Sequence, residues 1–477
     1  MTAQRAFVFD ARFCTGCKAC QAACKDRNNL PAGVLWRRVY EVSGGGWEQA
    51  GNAWENTVFA YHLSLACNHC AYPKCAGVCP VDAYTVRQDG IVLLDPSECI
   101  GCGYCAWACP YGAPQLDPLT RSMSKCNLCY DNIDAGLPPA CAAACPMRAL
   151  EYREVEGKEN PLPGVLALWD TPAERHPFPL ADSSRTEPRL AIRLHPAMYH
   201  SAEKRVRNLE EVRLQRHTGW EDAPLIAFTL LAQMAAGGLW WMTWLLTPLW
   251  LLVEHQASFL RLLPLLLTGS FLAVGMSASL AHLGTQGRVW RAVTHLRKSW
   301  LSREILMGLL FGGGCLLAAG AAALGQYHPA WSWPALLLGF GMVLSMAQVY
   351  RLRAVPAWNT WRTNAGFLVS ALLLGELSMA VVLAFESHLT GIVVFPMIWM
   401  LIAAAAVVLL AVRAVVSHPL ASRVKGTRLW RGLLIAAAAA VIAAALLPGT
   451  TAALLAFIIV LAEETVSRWQ FYEVRLA

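Results

Sequence analysis

The sequence predicts two unlike parts: a cysteine-rich α+β domain in front, and an all-α domain of membrane-crossing helices behind it. Of the 17 cysteines all but Cys315 lie between Cys14 and Cys145, whereas the long uncharged runs all begin after Pro224. With 56% apolar residues and a mean hydropathy of +0.40 over 477 residues, the chain is too hydrophobic for an ordinary soluble protein and long enough for two or three domains. The net charge of +7 is weak ground for a nucleic-acid partner, because the basic residues cluster in loops between apolar segments. No such partner is expected.

The front domain is read from its thiols. The opening residues, MTAQRAFVFDARF, show no apolar export signal and no twin arginine, so the chain is expected to start in the cytoplasm. Disulfides rarely persist there, and sixteen cysteines in one domain point to metal. They form four groups. Cys14, Cys17, Cys20 and Cys24 share the spacing C-x2-C-x2-C-x3-C with Cys99, Cys102, Cys105 and Cys109. Cys67, Cys70, Cys75 and Cys79 lengthen the middle gap to four residues, and Cys126, Cys129, Cys141 and Cys145 to eleven. The last three groups met along the chain each end in Cys-Pro, at Pro80, Pro110 and Pro146, which is the bacterial ferredoxin run for cubane clusters. Three thiolates on a tight loop reach one cube, while the fourth, launched into a helix, points to a neighbouring one. Zinc needs only two C-x2-C knuckles and leaves the other cysteines unexplained. Between Cys79 and Cys99, two short apolar stretches flank Asp89-Gly90, a hairpin signal that makes the second and third groups one ferredoxin-like module. The first and fourth groups are left to form the other.

The stretches CTGCKACQAACKD, ACNHCAYPKCAGVCPVDA, CIGCGYCAWACPYGAPQ and KCNLCYDNIDAGLPPACAAACPMRAL resemble the four-cluster iron-sulfur subunit of the dimethyl sulfoxide reductase family of molybdoenzymes, over roughly residues 5 to 215. The resemblance implies one cluster on Cys14, Cys17, Cys20 and Cys145, and its partner on Cys24, Cys126, Cys129 and Cys141. A third falls to Cys67, Cys70, Cys75 and Cys109, and a fourth to Cys79, Cys99, Cys102 and Cys105. In related nitrate reductase subunits a tryptophan at the position of Cys102 gives a three-iron cluster. The cysteine here implies four 4Fe-4S clusters.

The domain boundaries expected are 1–155 for the cluster domain, 156–222 for an extended tail or linker rich in proline and charge, and 223–477 for the membrane anchor. On composition alone the tail reads as a flexible linker. The resemblance implies a more ordered tail, wrapped on a partner, and a natural fusion of iron-sulfur subunit and anchor subunit.

Apolar stretches fall at about 224–246, 262–283, 305–325, 332–350, 365–385, 391–412, 432–447 and 450–462. The last two, separated only by Pro448-Gly449, read as a tight hairpin or as one kinked helix, and the resembled anchor subunits imply eight helices. Basic residues crowd the connections on one side: Arg288, Arg291, Arg297, Lys298 and Arg303, then Arg351, Arg353 and Arg362, then five more between 413 and 431. The opposite loops offer only Arg261. By the positive-inside rule the cluster domain faces the cytoplasm at a bacterial inner membrane. Family relatives with exported catalytic subunits imply the periplasmic face instead.

Ionisable residues at membrane depth mark a site. His282 ends the second apolar run in AHLGTQGR, and Glu304 opens the third in LSREILMG. The family's anchor subunits carry His-Leu-Gly, an arginine four residues after the glycine, and Leu-Ser-x-Glu at this spacing. The resemblance implies a quinol site (menaquinol or ubiquinol) at His282, Gly284, Arg288 and Glu304, with Tyr350 matching a family tyrosine near the same pocket; the family's proline two residues after the glycine is Gln286 here. Glu376 reads equally as a proton relay and as a carboxylic acid kept neutral by burial. Cys315, beside Gly312–Gly314, reads as a small packing residue. The function expected is that of an electron-transfer and anchor subunit. It oxidises quinol and serves a separate large molybdopterin subunit, with no catalytic site of its own for the terminal acceptor. A formate-, polysulfide- or tetrathionate-type enzyme, or a membrane redox sensor, is the alternative.

Overall fold

The computed structural model describes residues 4–155, 163–171, 176, 180, 186–199, 204–207, 222–243, 257–326, 332–390, 396–421, 427–446 and 449–473. They fall into two compact units. The first is Met1–Thr218 with Gly284–Lys298, and the second is Gly219–Leu283 with Ser299–Ala477. The connection between the second and third apolar runs therefore belongs to the first unit, which the expected division at 223 did not foresee.

Along the first unit run β1 (Gln4–Asp10), α1 (Ala19–Arg27), β2 (Arg38–Gly44), β3 (Trp47–Ala50), β4 (Ala53–Asn56), β5 (Phe59–Leu65), α2 (Lys74–Val78), β6 (Tyr84–Val86) and β7 (Val92–Leu94). There follow α3 (Tyr104–Ala108), β8 (Gln115–Leu116), β9 (Met123–Ser124), α4 (Tyr130–Asp134), α5 (Ala140–Ala143), β10 (Leu150–Val155), β11 (Leu166–Ala167), β12 (Leu190–Arg193) and β13 (Lys204–Arg207). β1 is central to a four-stranded sheet in the order β10-β1-β12-β11, antiparallel to β10 and parallel to β12. Its sequence QRAFVFD is buried on both faces, and the period of two divides it between two cores. Phe7 and Phe9 join the core that holds Cys20, Cys24 and Cys141, whereas Ala6 and Val8 pack with Trp169 and Val155. The hairpin expected at Asp89-Gly90 is β6-β7, with Gly90 at φ +80°.

The tail after 155 is not a free linker where it is described. β11 and β12 extend the main sheet, and β13 pairs antiparallel with β2. The remaining tail motifs, including 208–221, lie outside the described residues.

The second unit consists of long helices: α6 (Ala223–Trp241), α7 (Ala257–Ala281), α8 (Trp300–Ala323), α9 (Ser332–Tyr350), α10 (Trp361–Thr390), α11 (Pro396–Ala421), α12 (Thr427–Leu446) and α13 (Thr450–Glu473). Among the described residues seven are long and apolar enough to cross a membrane; the eighth, α12, offers a shorter apolar stretch, Gly432–Ala443. The expected spans at 224–246 and 391–412 extend into 244–246 and 391–395, which are outside the described residues. The last two apolar runs are separate helices, and α13 continues well beyond 462. Glycine sets how closely α6 and α10 approach: a Cβ on Gly237 would strike the Ala371 carbonyl, and one on Gly375 would strike the Gly237 backbone. Small residues at such crossings are how helices pack in lipid.

Six basic residues read as loop charges lie within helices: Arg261 in α7, Arg303 in α8, Arg362 in α10, Arg413 in α11, and Arg428 and Arg431 in α12. Arg413 is buried, with Nη2 2.7 Å from Glu464 Oε2.

Candidate electron-transfer and quinol site

The thiols gather in four sets. Cys14 feels the charges of Cys17, Cys20 and Cys145, and Cys24 those of Cys129 and Cys141. Cys70 feels Cys67, Cys75 and Cys109, and Cys102 feels Cys79 and Cys99. One cavity is lined by Cys14, Cys17, Cys20 and Cys145, another by Cys67, Cys70, Cys75 and Cys109. Each set draws three cysteines from one group and the fourth from another.

Local structure explains the grouping. The C-x2-C loops turn through left-handed residues, such as Gly101 at φ +69° and Leu128 at φ +62°, which swing an amide toward the preceding sulfur. The Gly101 N–H donates to Cys99 Sγ at 3.3 Å, and the Leu128 N–H to Cys126 Sγ at 3.4 Å. At the three Cys-Pro positions the proline ends the helix turn and an alanine amide four residues on faces the sulfur: Ala83 to Cys79 at 3.4 Å, Ala149 to Cys145 at 3.3 Å, and Ala113 to Cys109. Such amide–sulfur bonds tune cluster potentials.

The sets suit an iron-sulfur cluster. Burial, and then neighbouring thiolates, push the Cys24 thiol up to about 12, and burial does the same to Cys102. Thiols this crowded ionise only with a cation among them, which is what bound iron supplies.

The sets also form a series. Cys20 of the first feels Cys141 of the second, Cys126 of the second feels Cys67 of the third, and Cys105 of the fourth feels Cys75 of the third. Two cations missed by the sequence reading lie along it. Arg37, 1% exposed, is close enough to Cys20, Cys24, Cys126 and Cys141 for their charge to act on it. Lys125, 4% exposed, donates from Nζ to the Cys126 carbonyl at 3.0 Å and bonds the Val92 carbonyl.

The segment Gly284–Lys298 meets the series at its fourth set. Thr285 Oγ1 donates to the Cys99 carbonyl at 2.8 Å, and Arg288 Nη1 to the Pro96 carbonyl at 2.9 Å and the Cys99 carbonyl at 3.4 Å. His295 Nδ1 lies 2.8 Å from the Cys79 carbonyl, and Arg291 pairs with Glu98. A Cβ on Gly284 would collide with the Arg121 carbonyl. Gly284 and Arg288 are thus engaged with the cluster unit, although the resemblance placed them beside quinol.

The other three candidates belong to the helical unit. His282 follows α7 with Nδ1 buried and no hydrogen-bond partner among the described residues. Burial holds its imidazole below the ordinary range, against the opposing pull of the Ser279 backbone and Asp222. Glu304, 3% exposed, sits in the second turn of α8, close enough to Tyr350 and Tyr472 to act on both electrostatically. The Tyr350 hydroxyl shares a hydrogen bond with that of Tyr472, inside an aromatic box of Trp358, Phe367 and Phe471. Asp222 acts on both His282 and Tyr472. Asp222 was missed because it lies just before an apolar run, where ionisable residues are ordinary, and Tyr472 because it lies well beyond the last run.

Comparison with known proteins matches two separate stretches of the chain. Residues 58–155 match the family described as a 4Fe-4S dicluster domain, and residues 216–474 match that described as DMSO reductase anchor subunit (DmsC). The sequence is similar to the B subunit of the anaerobic dimethyl sulfoxide reductase of Escherichia coli (strain K12), 47% identical over 33% of this chain and 76% of that one. The B subunit of the Haemophilus influenzae enzyme is 42% identical over 40% of this chain and 89% of its own length. The formate dehydrogenase iron-sulfur subunit of Wolinella succinogenes is 39% identical over 30% and 78% respectively.

Proposed function

Because this protein belongs to the family of DMSO reductase anchor subunits and carries a 4Fe-4S dicluster domain on the same polypeptide, we propose that it is the electron-transfer and membrane-anchor subunit of a dimethyl sulfoxide reductase-type complex. It oxidises quinol in the membrane and feeds a separate large molybdopterin subunit, where the terminal acceptor is reduced. The observation that carries this reading is the series of four thiol sets, contacted at its fourth set by the segment joining α7 to α8. His282, held neutral by burial, accepts a proton from one quinol hydroxyl, and the Glu304 carboxylate takes the other. Bound clusters supply one-electron steps between quinol and acceptor. Arg37 and Lys125 balance the negative charge that accumulates along the series. The formate-dehydrogenase reading is served by a relative less similar than the dimethyl sulfoxide reductase subunits.

Anaerobic purification of the complex tests the proposal. About sixteen irons per chain are expected, four for each set of cysteines, with molybdenum in a large companion. In His282→Arg, reduction of the clusters by quinol should slow about a hundredfold or more, the scale of a lost general base, while dithionite still reduces them. An unchanged quinol rate sinks the site.

We place the cluster unit at the cytoplasmic face. Lys298, Arg351 and Arg353, in connections on that side, support this by the positive-inside rule. Arg288 and Arg291 also have a docking role.

A further inference from the structure

In the helical unit, residues beyond those assigned to quinol form a buried polar network. Glu463 and Glu464 on α13 are both fully buried, and Arg413 and Arg468 nearly so. Glu464 Oε2 accepts from Arg413 Nη2 at 2.7 Å and from Ser370 Oγ at 2.8 Å, while Glu463 Oε1 accepts from Trp430 Nε1 at 2.8 Å. Arg468 donates to Gln233 Oε1 at 2.9 Å, its guanidinium stacked 4.0 Å over Phe367. Charges at membrane depth are costly, and where they persist they mark a pathway more often than a scaffold.

A cavity of about 30 Å³ lies beside this network, lined by Arg362, Thr363, Arg413, Ser467, Arg468 and Gln470 among others. That is room for one or two waters. Arg362 Nε, Arg413 Nε, Arg468 Nε and Gln470 Nε2 are buried donors without partners among the described residues, and Glu464 Oε1 is a buried acceptor without one. Unmet donors of this kind each cost free energy unless water reaches them, so a wet cavity satisfies them together. On its other side Arg468 lies over the rings of Phe367 and Phe471, which pack against Tyr350, and Phe471 packs against Tyr472 as well; Glu304 is near enough to both tyrosines to influence them.

We propose that this network is a proton exit: protons leaving quinol at Glu304 pass through the Tyr350–Tyr472 hydroxyl pair and the water beside Arg468 to Glu464. The inference rests on the quinol reading above. Oxidation of one quinol yields a quinone, two electrons and two protons. The electrons enter the clusters. Each proton using this exit breaks from a quinol hydroxyl and bonds to the Glu304 carboxylate. It then moves along hydrogen bonds, each hydroxyl accepting one proton as it releases its own. The tyrosine pair suits this, since either hydroxyl is able to donate to the other. Arg413 and Ser370 hold Glu464 in place while its Oε1 faces no partner among the described residues. Arg362, the half-buried member of the lining and in the first turn of α10, stands at the exposed end of the route.

The test uses the intact complex with its catalytic subunit, comparing wild type, Tyr472→Phe and Glu464→Gln, with Glu464→Asp as the conservative control. Steady-state quinol turnover is expected to fall about tenfold or more in the first two, as loss of a proton-transfer partner does. The solvent deuterium isotope effect should rise, the cluster EPR spectra under dithionite should stay unchanged, and Glu464→Asp should recover much of the rate. Glu464→Gln breaks a buried ion pair and is able to unfold the unit; Tyr472→Phe removes one hydroxyl and then decides alone. If wild type reduces its clusters with quinol while Tyr472→Phe keeps the wild-type rate and isotope effect, the exit is refuted and the quinol reading stands. If the wild-type clusters do not respond to quinol, both are refuted.

Discussion

A guanidinium buried to the extent of Arg37 is expensive unless negative charge surrounds it. It has that surrounding. Nη1 is held by the Ser64 carbonyl at 3.2 Å and by its hydroxyl at 3.1 Å, and the group lies 4.3 Å from the Phe7 ring centre, with cysteines of the first two sets around it. Arg37→Met keeps the volume and removes the charge. The potentials of the two adjacent clusters should then fall by on the order of a hundred millivolts, the scale of a unit charge several ångströms away at an effective dielectric near 20. Redox titration followed by EPR measures this, and unmoved potentials would show that Arg37 serves packing alone. Nothing in the sequence advertised the residue. The cysteine groups stand out because a cubane demands fixed spacing along the chain, whereas a charge acting through space needs only proximity. Arg413 was misread for a related reason. Hydropathy ends an apolar run at the first cation, yet α11 continues past Arg413 because Glu464, on another helix, compensates its charge.

At the scale of elements, the apolar runs gave the helices but not all of their ends. α13 continues beyond 462 because Glu463, Glu464 and Arg468 find partners inside the helical unit, information that no window along one helix contains. The 284–298 segment taught the opposite lesson: its basic residues read as a membrane-side loop, and its carbonyl-seeking donors place it on the cluster unit. Gly284 is its tightest point. Gly284→Ala should cost about 1–3 kcal/mol, the usual penalty of overpacking, and should perturb the EPR signal of the fourth cluster more than those of the other three. The same change at Gly287, where a Cβ meets nothing within 4 Å, is the control. Equal effects at both glycines would mean that the close approach to Arg121 is not what holds the segment.

For the whole molecule, two features of the tail escaped sequence reading because they depend on pairing at a distance. β12 lies parallel to β1, with Phe7 opposite Leu190, and β13 lies against β2, across separations that composition reports only as a proline-rich stretch. Sidedness belongs to this scale too. In vesicles of known orientation, protease added from the cytoplasmic side should release fragments of the cluster unit, and protease added from the periplasmic side should leave it intact. Cleavage from the periplasmic side alone would reverse the placement.

The segment that returns to the cluster unit between α7 and α8 ties that unit to the chain twice, once at its own end and once in mid-sequence. A subunit interface is thereby replaced by an intramolecular one, whose effective concentration is set by the connection and not by the cell. The contact of Gly284–Lys298 within the cluster unit therefore needs little intrinsic affinity, which fits the polar bonds made by Thr285, Arg288, Arg291 and His295. It also imposes an order of assembly. The cluster unit is synthesised first, and its surface around Cys79 and Cys99 must stay unoccupied until the ribosome has delivered α7. A separate anchor protein meets no such timetable.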